Sequence, residues 1–324
     1  MPRYGVGRVS DVVETEVPRM STLIALAPTL IGVLAGIAIG LILTRSRSAP
    51  TGAGTTVAVL AGAIPAVVQG LVTGLAATGT GPMDGSVPAT QRLLLTVPLG
   101  LGTLAVLALA LPPPVRPEEP EEITLSSTDG APRTVGGFLP RGWQIVLALL
   151  GGLEILVAVI AGRASELSES GHYLLYAITL GDTRAVTTIY GWYFSIPSLI
   201  ILAVLMIVTV AALSHVVRRS APGTNHVAGE ARRARCRDIA EVATGGLLVH
   251  LGLVLHFLGE TAALWLDASL GMNGPSAGTS LAALGPVLTI GGIAADVGGI
   301  ALWTAVATRA LVSLSRGTRN ADRA

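Results

Sequence analysis

Seven long apolar stretches govern what this chain can become. The first, Thr22 to Leu43, runs 22 residues without a charge. As a helix rising 1.5 Å per residue it would be about 33 Å long, the thickness of a bilayer's hydrocarbon core. It exceeds a signal-peptide core and lacks a convincing cleavage site, so it reads as a membrane span. Comparable runs follow at 56–78, 91–111, 143–162, 190–214, 239–260 and 282–308. Lipid offers the backbone no hydrogen bonds, so such runs are expected to be helices. The expected fold is an all-α integral membrane protein, a polytopic bundle of about seven transmembrane helices.

Composition narrows the function classes. Over 324 residues, 51% hydrophobic and 13% charged content argues against a set of soluble domains. A net charge of +1 with dispersed basic residues leaves no nucleic-acid footprint. All 21 basic residues are arginine, which excludes a Schiff-base lysine, a Walker A lysine and a Ser-Lys dyad. Cys236 is the sole cysteine, so an intramolecular disulfide and a cysteine-built metal centre are excluded too. HExxH, GxSxG and EF-hand patterns are absent. In composition, though in no motif, the chain resembles the multi-pass membrane proteins of actinobacteria.

The segments around the spans differ in character. Residues 1–20 read as a disordered lead, with Met20 a candidate start, and 21–111 hold the first three helices. Residues 112–141 open on Pro112-Pro113-Pro114 and carry Glu118, Glu119, Glu121 and Glu122, an extended acidic linker. Helices four and five occupy 142–214, with 163–189 between them. There Tyr173, Leu174, Leu175, Tyr176 and Ile178 point to a short helix on the membrane surface. An arginine-rich loop, 215–238, precedes helices six and seven at 239–308, and 309–324 form a tail.

Arginine placement predicts orientation. With the N-terminus outside, 15 arginines fall on the cytoplasmic side and 6 outside; the reverse arrangement breaks the positive-inside rule. An N-out, C-in protein of the inner membrane is therefore expected. Arg232, Arg233, Arg235 and Arg237 would then meet anionic lipid headgroups, or a protein partner of the cytoplasmic loops. The Trp192-Tyr193-Phe194 cluster would sit at the outer interface.

Helices in lipid associate through small residues. Gly32, Gly36 and Gly40 repeat every four residues, and Gly245, Gly252 and Gly259 every seven, so both stripes are expected to pack helices. Ionisable side chains at bilayer depth cost about 2.5–3.5 kcal/mol on insertion scales and should face protein or water. Glu154, His250 and Asp296 fall near the expected midplane, with Gln69 at similar depth, and could form one polar centre. His256 and Glu260, four residues apart near the outer leaflet, could pair. His250 projects about 120° from His256, so the two cannot share a metal from one straight helix. With both intramembrane histidines on one helix, haem is disfavoured, and no cofactor or metal is expected. Two classes of function remain: a transporter or permease-like component with a midplane polar site, or a non-catalytic scaffold or regulatory subunit. An enzyme is disfavoured, for no nucleophile–base pair is found.

Overall fold

The computed structural model describes residues 17–45, 53–78, 89–111, 139–180, 183–218, 226–263, 265–267 and 276–321. Seven helices within them are long and apolar enough to cross a membrane. They are α1 (Val17–Arg45), α2 (Ala53–Thr78), α3 (Ala89–Ala110), α4 (Arg141–Ala164), α5 (Trp192–Arg218), α6 (His226–Ala262) and α7 (Gly285–Ala321). Their outward sides carry Leu34, Val67, Leu104, Leu149, Ile207 and Val287, all largely exposed. Water would not tolerate so continuous an apolar belt, whereas lipid requires it. The protein is a membrane-embedded helical bundle.

Helix α6 is the axis of the bundle, with 78% of its span buried inside the protein. Its contact with α7 is antiparallel and set by two glycine stripes. Gly245, Gly252 and Gly259 face Gly299, Gly292 and Gly285 in that order. A Cβ on Gly299 would lie 2.6 Å from the Gly245 carbonyl, and one on Gly252 would lie 2.9 Å from the Gly292 carbonyl. Backbone therefore touches backbone, which only glycine permits. Helix α1 packs on α7 in parallel: Gly32, Gly36 and Gly40 meet Ile300, Thr304 and Thr308 in the same direction. Both glycine stripes of the sequence are packing surfaces.

The ends of the bundle differ. At one end, arginines of α7 and α6 answer carbonyls in the last turns of α1 and α3. Arg316 donates to the Thr44 carbonyl at 3.1 Å, and Arg235 donates to the carbonyls of Leu109 and Leu111. Cations at helix C-termini satisfy orphan carbonyls and meet the negative end of the dipole. Of Arg232, Arg233, Arg235 and Arg237, only Arg233 is exposed.

The other end carries strands. Strands β1 (Glu166–Leu167), β2 (Tyr173–Leu180) and β3 (Thr183–Thr188) form an antiparallel sheet, and β4 (Trp265–Asp267) pairs with β5 (Ser276–Gly278). The surface helix expected within 163–189 is thus replaced by a sheet. Thr183, Val186, Thr187 and Thr188 are β-branched, and the sequence between β2 and β3 is Gly181-Asp182, two turn-forming residue types. Local chemistry therefore favours strands there. Below this sheet Phe194, Phe257, Ile189 and Leu174 form a second, aromatic-rich core.

Two boundaries also move. Residues 226–238, expected in a loop, are the first turns of α6. Ala228, Glu230, Ala231, Arg232, Arg233 and Ala234 are good helix formers, and the stretch contains no proline. The tail likewise continues α7 to Ala321. The acidic linker through residue 138 and the lead through residue 16 lie outside the described residues.

Candidate functional site

Helix α4 lies at the edge of the bundle and is mostly lipid-facing, as exposed Ile145, Leu149, Leu156 and Ile160 attest. Its buried positions, Leu147, Gly151, Glu154, Ala158 and Ala161, recur at alternating steps of four and three. That spacing makes one narrow stripe along a helix. A carboxyl in the middle of the stripe has nowhere to point but inward. Glu154 is 5% exposed and meets His250 of α6, which is 3% exposed.

Glu154 Oε2 and His250 Nδ1 stand 3.2 Å apart. This is ion-pair distance, yet the approach is not aligned as a hydrogen bond, and among the described residues neither carboxylate oxygen nor Nδ1 has a hydrogen-bond partner. On the other side of the ring, His250 Nε2 lies 3.5 Å from the Tyr190 hydroxyl. The two rings meet edge-on, with centroids 6.4 Å apart. Tyr190 is fully buried in the lead into α5, with the Ser198 hydroxyl beside its own. A phenol gives up its proton only at about pH 10, so the hydroxyl is available as a donor.

Position is imposed on Tyr190 by the sheet. The Ile189 N–H donates to the Leu174 carbonyl of β2 at 2.8 Å. Gly191 presses so closely on Tyr173 that a Cβ would lie 2.4 Å from its carbonyl. Thr261 of α6 donates to the Thr188 carbonyl at 2.9 Å, tying the same segment to α6. Tyr190 lies ahead of the helical part of the fifth apolar run, so a search for polar residues at midplane depth misses it. Its signal is local: a tyrosine followed by glycine between a β-branched run and an aromatic cluster.

The other expected site residues divide. Asp296 does not join Glu154 and His250. It leans on Gly252, where a Cβ would press against its Oδ1, and among the described residues that oxygen has no hydrogen-bond partner. Two residues along a helix are about 200° of rotation, so Gly252 and His250 occupy opposite faces of α6. His256 turns to α7 with Nδ1 over Gly292, while Glu260 is exposed, so these two do not pair. Gln69 is buried in α2, its amide donating to Thr73 at 3.5 Å and its Oε1 unpartnered. Among the described residues, no three His, Cys, Asp or Glu side chains come together as a metal site.

A second ionic cluster lies where α6 and α7 meet at the arginine-capped end. Arg309 reaches Asp238 at 2.9 Å and also Glu241, and Arg237 holds Glu241 Oε1 at 2.6 Å. These charges are paired and multiply hydrogen-bonded. The chain matches no known protein family, no curated protein and no solved structure.

Proposed function

We propose that the protein is a transporter or permease-like membrane component whose working centre is the Glu154–His250 pair. One observation carries this reading: a carboxyl and an imidazole stand 3.2 Å apart, almost wholly buried, with the carboxylate oxygens left unbonded. Desolvating an ionisable pair is costly, and the cost is offset only by well-made hydrogen bonds. A structural pair would be expected to make them. An unsatisfied one at membrane depth is what a site that exchanges a proton or a polar solute requires.

The same reading includes an N-out, C-in chain in the inner membrane. Support comes from the arginine count and from the C-terminal ends of α1, α3 and α7, which gather at one end where arginines are concentrated. Anionic headgroups would be met there by Arg233, the exposed member of its run.

Flux in proteoliposomes tests the proposal. Vesicles loaded with a pH-reporting dye and driven by a potassium diffusion potential should change internal pH with the wild-type protein. Glu154→Gln should abolish the signal and leave the folded protein intact. If wild type and Glu154→Gln both match empty vesicles, with a sodium-reporting dye as with the pH dye, the scaffold alternative takes its place.

A further inference from the structure

We infer that the Glu154–His250 centre handles the proton itself, and that Tyr190 is its positioning residue, presenting His250 in the tautomer that receives a proton on one nitrogen and yields one from the other. This rests on the transport reading above and specifies its cargo.

The geometry supplies the argument. A neutral imidazole carries its hydrogen on one nitrogen and accepts on the other. The Tyr190 hydroxyl is 3.5 Å from Nε2. A phenol hydroxyl can donate or accept; in the inferred arrangement it donates, Nε2 accepts, and the hydrogen resides on Nδ1, beside Glu154 Oε2 at 3.2 Å. A proton arriving at Nε2 makes an imidazolium. Once the ring turns to bring Nδ1–H into line with Glu154 Oε2, 3.2 Å away, that proton passes to the carboxylate, leaving a neutral imidazole with hydrogen on Nε2 and a neutral carboxylic acid. One N–H bond forms, one N–H bond breaks and one O–H bond forms, and the centre has gained a single proton. In the loaded state Tyr190 must turn its hydrogen away from the new Nε2–H, so its bond favours the empty centre.

The surroundings favour a proton over a metal ion. A divalent ion such as zinc takes three or more protein ligands, and no third His, Cys, Asp or Glu joins the pair among the described residues. The titratable groups brought against His250 are Glu154 from α4 and Tyr190 from the lead into α5. Helix α5 adds hydroxyls on that side, Ser198 next to Tyr190 and, one turn earlier, Ser195, whose buried oxygen is unpartnered. Asp296 and His256 belong to the interface with α7.

Infrared difference spectroscopy of the purified full-length protein, titrated from about pH 4 to about pH 10, tests this directly. A carboxylic-acid C=O band should grow as pH falls, shift in heavy water, and vanish in Glu154→Gln; Glu154→Asp, the gentler variant, should move it. A hydrogen bond donated to Nε2 stabilises the unprotonated centre, so Tyr190→Phe should make the band appear at higher pH. Absence of any Glu154-dependent band in folded protein overturns the proton as cargo. So does a band that responds to sodium against choline at constant pH, although the transport reading would survive. A band whose midpoint ignores Tyr190→Phe removes Tyr190 from the scheme. A normal titration without flux in vesicles leaves the protonation chemistry of the centre in place but overturns transport, and the proton as cargo with it.

Discussion

Helix α6 takes part in two buried acid sites, Glu241 on its own surface and Glu154 reaching His250 from α4, and the two are built oppositely. Glu241 and Glu154 are 1% and 5% exposed, so burial is much the same. Around Glu241, two guanidiniums donate to the carboxylate, and Arg309 is shared with Asp238. Around Glu154, one imidazole approaches without an aligned hydrogen bond. Equal burial with unequal pairing shows that the chain can satisfy an inward carboxylate when structure demands it. The contrast makes Arg237, Arg309, Asp238 and Glu241 a lock between α6 and α7, and leaves Glu154 and His250 a buried pair without that lock.

Substitutions can break that contrast. The largest expected effect is Arg309→Ala, which takes a partner from both Glu241 and Asp238 and should cost about 3–5 kcal/mol. Thermal unfolding in detergent would read it, and a loss under about 1 kcal/mol, the scale of a surface pair, would dissolve the distinction. Next is Gly36→Ala on the α1–α7 contact, whose Cβ would lie 2.5 Å from the Ala301 carbonyl. Backbone cannot yield as a side chain can, so a loss of about 1–3 kcal/mol is expected, independent of either ionic cluster. Glu154→Gln should move the other way, a gain of about 1 kcal/mol, because a buried carboxylate without aligned hydrogen bonds is replaced by a neutral amide. A loss as large as that of Arg309→Ala would make Glu154 another lock. Smallest is Arg184→Ala: its 2.5 Å pair with Glu166 is half exposed. A change below about 0.5 kcal/mol is expected there.

How far the sequence foretells these regions depends on what each signal measures. Uncharged length locates the seven helices, because a span is set by bilayer thickness alone. Depth counted along separate spans puts Glu154 and His250 at one level, and the fold brings them within 3.2 Å. Depth carries no rotational information between helices, so Asp296 at the same level is grouped with them although it faces the α6–α7 contact. Tyr190 escapes because it enters from a strand–helix junction. The sheet at 173–188 reads as a helix because Tyr173 to Ile178 is apolar without alternation, and only the threonines that follow argue otherwise. The glycine stripes announce close contacts, but which helix each meets is a tertiary fact. Arg235 and Arg316 as caps on α3 and α1 are likewise invisible to a count of charges.

The parallel contact of α1 with α7 also bears on how the protein is made. The chain leaves the ribosome N-terminus first, so α1 enters the bilayer long before α7 exists. Until α7 has been made, Gly32, Gly36 and Gly40 lack the surface they fit, and α1 must wait in lipid or against other parts of the chain. Synthesis of α7 therefore closes two contacts at once: a chain truncated before Gly285 leaves both α1 and the glycine face of α6 unmatched.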